Sequence, residues 1–348
     1  MSQQQLFQFV TNLLPSWRKT RRRVLALGVE ALVRRRRLTL TGLARGMDSR
    51  TRIRYRVKRL WRFVDNLAVD PRDAIGGLAL QAGRLRGSGW LPLVMDETGL
   101  KDRLMLLGVA VTYHGRALPL ALYPYVPERL KRSLWTLREA VLATALKPLA
   151  PADRARVLLI GDRGYAASRF FRHLLQAHLA FVIRVPRRVL LHMSWGSQSL
   201  EALAADLQLG QRLILRNVHY GPARARLNIV LWWHPDQPEP WLLATTLDDA
   251  QQACHYYRQR MGIEELFKDF KDRFKLESCQ LQTRDRISRM CLFLVLALWA
   301  LALLVRYPKL WPEWIRARGP LSFVSLALEW IDSPPWQRRM LRQEAQSG

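Results

Sequence analysis

The pattern of apolar and polar residues predicts an α/β region that begins near Trp90. Three apolar strands come first, and the first of them ends in acids at Asp96. A helix, a buried strand ending on Asp162, a second helix and a last strand follow. This order of elements describes an α/β layer architecture. Functional groups gather at strand ends in such sheets, so Asp96 and Asp162 are candidate site residues.

The pattern changes again after this region. Residues 183–247 are rich in predicted strands and turns, and helical periodicity resumes at Asp248. The sequence contains no internal repeat and no low-complexity linker, so the β-rich stretch is predicted to be inserted into the α/β unit. Its tryptophans are Trp195, Trp232, Trp233 and Trp241.

A basic helical region precedes the α/β unit. Residues 38–66 predict a short helix, a turn near residues 46–49 and a longer helix. The apolar edge of the longer helix consists of Ile53, Val57, Leu60 and Val64. Cations cover its remaining surface, at Arg52, Arg54, Arg56, Lys58, Arg59 and Arg62. Such a helix can lie in a DNA groove; a solvated basic helix and a membrane-surface helix are the alternatives.

Another helix, predicted over residues 256–271, carries polar residues along one edge. At about 100° per residue, four of them fall within an arc of about 60°. They are Tyr257, Arg260, Glu264 and Lys271. Apolar residues on the adjoining arc would dock this helix on a core. A solvated charged stripe is the simplest interpretation of such an edge, so the rest of the chain has to decide.

The charge of the chain favours a nucleic acid as partner. Its 348 residues include 56 Lys and Arg against 28 Asp and Glu, a formal net charge of +28. Residues 1–75 contain 18 of these cations and 5 of the acids. This excess indicates a polyanionic partner, either nucleic acid or an anionic membrane surface. The sixteen apolar residues 290–305 would span about 24 Å as a helix, short of a bilayer core of about 30 Å, so they predict a buried helix.

Cysteine usage and the N-terminus indicate a reducing compartment. The three cysteines form no C-x-x-C pair and no even disulfide framework, so neither zinc nor disulfides are expected. The first residues lack the cationic start and the unbroken apolar run of a signal peptide.

Three carboxylates are the candidate chemistry: Asp96, Asp162 and Glu264. Carboxylates brought together repel one another unless cations hold them, and Mg²⁺ prefers such oxygen ligands. Two ions about 3.5–4 Å apart can activate a hydroxyl and stabilise the leaving oxygen of a phosphodiester. Glu97 would point to the opposite strand face from Asp96, and either of the two could face the site. Glu265 lies off the charged helix edge, so Glu264 is the better candidate.

Three motifs together resemble the DDE transposases of bacterial insertion sequences. They are D-E-T-G-L at residues 96–100, I-G-D-R-G-Y at 160–165 and Y-x2-R-x3-E-x6-K at 257–271. The resemblance extends over roughly residues 38–305. The last motif is similar to the signature of the Tyr-Arg-Glu-Lys group, the fourth insertion-sequence family, and matches it at all four positions. That group often has Trp directly after the signature Arg, where this chain has Met261.

The resemblance implies an RNase H-like core with an inserted β-domain. It implies that Asp96, Asp162 and Glu264 bind two Mg²⁺ ions, for which Mn²⁺ can substitute. Tyr257, Arg260 and Lys271 would hold the DNA backbone, and Trp241 would stack on a base flipped from a hairpin end. The N-terminal residues expected to contact DNA are Arg54, Tyr55, Lys58 and Arg62.

The expected fold is α/β, with an RNase H-like core, a β-rich insertion and a helical DNA-binding N-terminal domain. The expected boundaries are 1–80 for the DNA-binding domain, 81–182 and 248–310 for the core, 183–247 for the insertion, and 311–348 for a helical tail, a candidate for dimerisation. The expected function is cut-and-paste transposition by a cytoplasmic homodimer, associated with the bacterial nucleoid, acting on terminal inverted repeats and target DNA. The alternatives are a metal-dependent RNase H-fold nuclease and a non-catalytic DNA-binding protein derived from a transposase.

Overall fold

The N-terminal region is helical in the computed structural model, which describes residues 3–101, 104–306 and 322–333. Its helices are α1 (Gln3–Leu13), α2 (Lys19–Arg35), α3 (Leu40–Gly46), α4 (Ile53–Asp65) and α5 (Ile75–Arg86). The predicted short helix, turn and longer helix correspond to α3, residues 47–52 and α4. Thr39 begins α3, and its hydroxyl accepts a hydrogen bond from the Gly42 amide at 2.9 Å.

One mixed sheet contains the ten strands that the described residues form. The strands are β1 (Leu91–Lys101), β2 (Leu104–Tyr113), β3 (Arg116–Tyr125), β4 (Val157–Gly161), β5 (Ala180–Arg184), β6 (Leu190–Met193), β7 (Gly196–Ser199), β8 (Arg212–Tyr220), β9 (Ala225–Trp232) and β10 (Trp241–Thr245). Their order across the sheet is β3-β2-β1-β4-β5-β10-β9-β8-β6-β7. This arrangement confirms the predicted mixed α/β class.

The centre of the sheet is parallel. Strand β4 lies between β1 and β5 and is parallel to both, whereas β1, β2 and β3 pair antiparallel in sequence. All five residues of β4 are buried, which explains its continuous apolar run. The helices that follow β3 are α6 (Leu134–Leu146), α7 (Pro151–Ala155) and α8 (Ser168–Gln176).

The predicted β-rich stretch continues the same sheet. Strands β6 to β9 lie in sequence between β5 and β10, and β10 pairs antiparallel with both β5 and β9. A short helix, α9 (Leu200–Leu203), follows β7. Because β10 is hydrogen-bonded on both sides, the added strands extend the central sheet.

The long apolar segment forms α12 (Arg284–Leu304). This helix is the one candidate membrane span among the described residues, and 83% of its 18-residue apolar window is buried in the protein. The predicted buried helix is therefore present, and it begins six residues earlier than its apolar run. Helix α2 packs closely on it at Gly28, where a Cβ would come within 2.2 Å of the Phe293 ring.

The N-terminal helices share one hydrophobic core with the sheet region. The Phe63 ring of α4 lies 5.3 Å from the Phe293 ring of α12. The buried Arg289 side chain donates to the backbone oxygens of Val64 at 3.0 Å and Val69 at 2.9 Å. The boundary near residue 80 stays a prediction, and this packing joins the two sides of it.

The predicted continuous helix over residues 256–271 is wrong. The structure has α10 (Ala250–Arg258), a break at residues 259–260, α11 (Met261–Lys268) and a π-helical turn over Asp269–Arg273. At the start of α11, a Cβ on Gly262 would lie 2.6 Å from the Arg116 backbone oxygen, so this glycine lets α11 approach β3. The single 60° arc therefore does not extend from Tyr257 to Lys271. Part of the predicted C-terminal tail lies outside the described residues, and α13 (Phe323–Asp332) is the helix described there.

Candidate active site

Asp96 lies within a strand, although the sequence predicted it at a strand end. Strand β1 continues to Lys101 because it stays paired with β2. Its parallel pairing with β4, however, ends at Met95 opposite Gly161. Asp96 and Asp162 therefore each follow the last paired residue of two adjacent parallel strands, where the sheet opens.

Both aspartates are held by backbone amides beside them. The Glu97 amide donates to Asp96 Oδ1 at 2.8 Å. The Gly164 amide donates to Asp162 Oδ1 at 2.8 Å, in a short 3₁₀ turn that Asp162 begins. These bonds orient the Asp96 carboxylate from within β1 and the Asp162 carboxylate from the turn after β4.

Arg260 brings the third carboxylate to the pair. Its Nη1 lies 3.5 Å from Asp96 Oδ2, and its Nη2 donates to Glu264 Oε1 at 2.5 Å. Arg260 sits at the break before α11, one turn from Glu264, so the i,i+4 spacing seen in the sequence persists here.

The pKa of Asp96 reflects the charges around it. It is raised to about 6, mainly by burial, with smaller contributions from the charges of Asp162 and Glu264. The Glu97 amide and the Arg260 guanidinium oppose that rise. A cation near Asp96 would relieve this repulsion.

The two alternative acids are engaged elsewhere. Glu97 accepts from the Tyr125 hydroxyl and from Arg138 Nε, both at 2.6 Å, on the other face of β1. Glu265 pairs with Arg116 at 2.5 Å. This geometry favours Asp96 over Glu97 and Glu264 over Glu265. Arg138 was not predicted as a site residue; its signal in the sequence is that it is the single cation of α6.

The site's donors fit a hard divalent ion. All three are carboxylate oxygens, which Mg²⁺ and Mn²⁺ prefer. Among the described residues, however, no three His, Cys, Asp or Glu side chains already converge as a metal-binding group. The Arg260 guanidinium instead contacts two of the carboxylates. Ion binding would therefore require this guanidinium to move aside.

Tyr257 and Trp241 are buried against each other. Their ring centroids are 4.9 Å apart, and Trp241 also packs edge-on against Trp232 at 5.4 Å. Tyr257 is 4% exposed and Trp241 is 8% exposed. This burial favours core packing over contact with a flipped base, and both DNA-contacting roles stay predictions. Lys271 is half-buried, with Nζ 3.9 Å from Glu277.

The exposed face of α4 is cationic. The Arg54 guanidinium stacks over the Tyr55 ring at 4.8 Å and donates to its hydroxyl. In the part of the chain that the structure describes, Arg54, Lys58 and Arg62 form no salt bridge with a carboxylate. A groove of about 650 Å³ between α2 and α4 is lined by Thr20, Arg21, Val24, Tyr55, Lys58, Arg59, Arg62, Phe63 and Asn66.

Two residues of α4 differ from their predicted positions. Ile53 is 49% exposed, so the apolar edge begins only at the half-buried Val57. Arg56 turns inward and its guanidinium donates to backbone oxygens of α3 and the turn. These acceptors are those of Ala44 at 3.3 Å, Met47 at 2.8 Å, Thr51 at 2.7 Å and Ser49. Arg56 therefore fixes the turn between α3 and α4, and is not part of the free cationic surface.

Residues 138–300 match the family described as the transposase DDE domain. The matched segment contains Asp162 and Glu264, and Asp96 precedes it. A transposase DDE domain implies DNA transposition by a phosphoryl-transfer enzyme that uses divalent metal ions. The search of curated proteins finds no match to this chain.

Proposed function

We propose that this chain is a cut-and-paste transposase that cleaves and rejoins DNA at a three-carboxylate site. One observation carries the proposal: Arg260 pairs with both Asp96 and Glu264, and Asp96 and Asp162 lie where the parallel pairing of β1 and β4 ends. The transposase DDE match over residues 138–300 supports it, because two of the three carboxylates lie in that segment.

Strands β3-β2-β1-β4-β5 would form the RNase H-like core. The antiparallel β1, β2 and β3 and the parallel β1, β4 and β5 support this assignment. Strands β6 to β10, within residues 183–247, would be the inserted β-region. The proposal also assigns the chain to the Tyr-Arg-Glu-Lys group, and its support is the match at the four signature positions: Tyr257, Arg260, Glu264 and Lys271.

Asp96, Asp162 and Glu264 would hold two Mg²⁺ ions, which Mn²⁺ can replace. Such ions supply activation of the attacking hydroxyl and stabilisation of the leaving oxygen. Arg260, released from the carboxylates, would bind a phosphate beside the scissile bond. Lys271 would do the same, since its present partner Glu277 is an exposed carboxylate at 3.9 Å.

The reaction would begin with hydrolysis at the element end, which leaves a 3′-OH. That hydroxyl would attack a phosphodiester of the opposite strand, which forms a hairpin and releases the flanking DNA with a hydroxyl end. Water would then hydrolyse the hairpin. The freed 3′-OH would attack target DNA.

The cations of α4 would bind the terminal inverted repeats, and two subunits would pair two ends, since both ends must be joined. The protein would act in the bacterial cytoplasm.

The test compares neighbouring glutamates in the full-length protein. We expect Glu264→Gln to reduce cleavage of end DNA at least tenfold while leaving end binding largely intact, because a ligand of the catalytic ions is lost. Asp96→Asn and Asp162→Asn should behave alike. Glu265→Gln is the matched control, since Glu265 pairs with Arg116. A Glu264→Gln variant with more than a tenth of wild-type cleavage would overturn the assignment.

The alternative functions give different products with the same protein. With Mg²⁺ and labelled end DNA, the proposal predicts joined product. A nuclease of the same fold gives only cleaved product, and a non-catalytic DNA-binding protein gives neither.

A further inference from the structure

A buried ion pair lies directly behind the candidate site. Glu97 and Arg138 have side chains that are 12% and 10% exposed, and Arg138 Nε donates to Glu97 Oε1 at 2.6 Å. Glu97 follows Asp96, so it points to the opposite face of β1. The pair therefore does not compete for the site, yet it holds the adjacent residue of the same strand.

The same guanidinium also holds the loop after Asp162. Arg138 Nη1 donates to the Gly164 backbone oxygen at 2.8 Å. Its plane lies over the rings of Tyr165 at 4.3 Å and Trp135 at 4.6 Å. One side chain of α6 thus connects the residue after Asp96 with the second residue after Asp162.

The carboxylate of Glu97 is fully engaged as well. Its Oε2 accepts from the Tyr125 hydroxyl of β3 at 2.6 Å, and its Oε1 also accepts from the Tyr165 hydroxyl at 3.3 Å. Strand β1, strand β3, helix α6 and the turn after β4 all meet at this one group.

Stability alone does not explain this arrangement. The desolvation of a buried ion pair offsets most of its attraction, and apolar replacement of such a pair is often neutral or stabilising. What the pair fixes is geometry, because its bonds reach both segments that carry the aspartates.

We propose that Glu97 and Arg138 are positioning residues that set the separation of Asp96 and Asp162 for divalent-ion binding. This proposal rests on the proposed function, which makes those aspartates metal ligands. Residues that orient the ligands of a metal typically change metal affinity 10- to 100-fold when replaced.

The experiment measures Mn²⁺ binding to the full-length protein without DNA, by calorimetry, under conditions where circular dichroism shows each variant folded. We expect Glu97→Gln and Arg138→Gln each to weaken Mn²⁺ binding about tenfold or more. Arg138→Lys keeps the charge but loses the fork that reaches Glu97 and Gly164 together, so it should behave like Arg138→Gln. Arg138→Lys also provides the test of Arg138 if Arg138→Gln does not fold.

Arg289→Gln is the matched control. Arg289 is buried, and its guanidinium donates to the backbone oxygens of Val64 and Val69 in the N-terminal region. This variant should lower thermal stability and leave Mn²⁺ affinity unchanged. If the Glu97 and Arg138 variants bind Mn²⁺ like wild type, the positioning role is wrong. It is also wrong if Arg289→Gln weakens binding equally, since a general loss of rigidity would then account for the effect.

Asp96→Asn and Glu264→Gln distinguish failure of the positioning role from failure of the proposed metal site. Weakened Mn²⁺ binding in these two, with wild-type binding in the Glu97 and Arg138 variants, overturns only the positioning role. Unchanged binding in Asp96→Asn and Glu264→Gln overturns the metal site itself.

Discussion

At the scale of single residues, Asp96 shows that the fold holds a carboxylate where its ionisation is unfavourable. Its carboxylate is drawn into a half-buried position among other acids, and burial raises its pKa to about 6. The sequence could identify Asp96 as an acid next to an apolar strand. It could not distinguish Asp96 from Glu97, because that choice depends on Arg138 and Tyr125, which lie far away in the chain.

The raised pKa gives a pH-dependent prediction for the metal-free protein. The folded state binds the Asp96 proton more tightly than the unfolded state, whose pKa is near 3.9. The protonated Asp96 therefore contributes to the free energy of unfolding. This contribution is fully present below about pH 4 and is lost as pH rises through about 6. We therefore expect Asp96→Asn to be more stable than wild type at pH 8, by about 3 kcal/mol at most, and nearly equal at pH 4.

Urea unfolding in EDTA at both pH values measures this difference. Glu128→Gln, at an exposed carboxylate, is the control and should show little change at either pH. A constant difference between Asp96→Asn and wild type across the range would contradict the prediction.

At the scale of elements, periodicity predicted β1 to β5, α3, α4 and α12 but not the break between α10 and α11, and it predicted β6 to β10 only as a β-rich stretch. Residues 258–260 contain neither proline nor glycine, and the nearest glycine, Gly262, lies inside α11. At Gly262, α11 packs against the Arg116 backbone, a tertiary contact that periodicity does not report. Similarly, Ile53 fits an apolar stripe by spacing, yet it lies beyond the core that α4 contacts.

Trp241, the first residue of β10, is buried among other aromatic side chains. Its ring packs on Trp232 and Tyr257 and is 8% exposed. We expect Trp241→Ala to destabilise the protein by about 3–5 kcal/mol, as for other buried aromatic residues, and to reduce nicking and hairpin formation together. Urea unfolding and a gel assay of both steps measure these effects.

Trp195→Ala is the control, because this ring is 68% exposed between β6 and β7. Its stability should equal that of wild type. If Trp241→Ala keeps its stability and nicking but loses hairpin formation about tenfold, a loss of about 1.4 kcal/mol, then a stacking role for Trp241 is restored.

At the scale of the whole molecule, the charge and the apolar content could be interpreted from the sequence, while the continuity of the core could not. A net charge of +28 already indicated a polyanionic binding partner. Composition does not reveal that Phe63 and Phe293 pack together, because that contact joins residues 230 positions apart. Full-length protein is therefore the appropriate material for DNA-binding measurements.

The cationic face of α4 gives a salt-dependent prediction. Each phosphate contact releases counterions, so DNA affinity should fall steeply between about 50 and 200 mM salt. Replacing Lys58 and Arg62 together with Gln should lower the slope of log affinity against log salt by about 2. Arg72→Gln is the control, since Arg72 already pairs with Asp70 at 2.6 Å, and its slope should not change. An unchanged slope in the double variant would exclude α4 as a phosphate-binding surface.

The continuous sheet also determines how far its edge strand β7 lies from the carboxylates. Six hydrogen-bonded steps separate β4, which ends beside Asp162, from β7 at the edge. At about 4.8 Å per step, that edge lies at most roughly 29 Å away along the sheet, close to the 34 Å of one turn of a DNA duplex. A duplex lying across the carboxylates could thus be touched again about one turn further along. Adding or removing one edge hairpin would change this reach by about 10 Å while leaving the carboxylates in place.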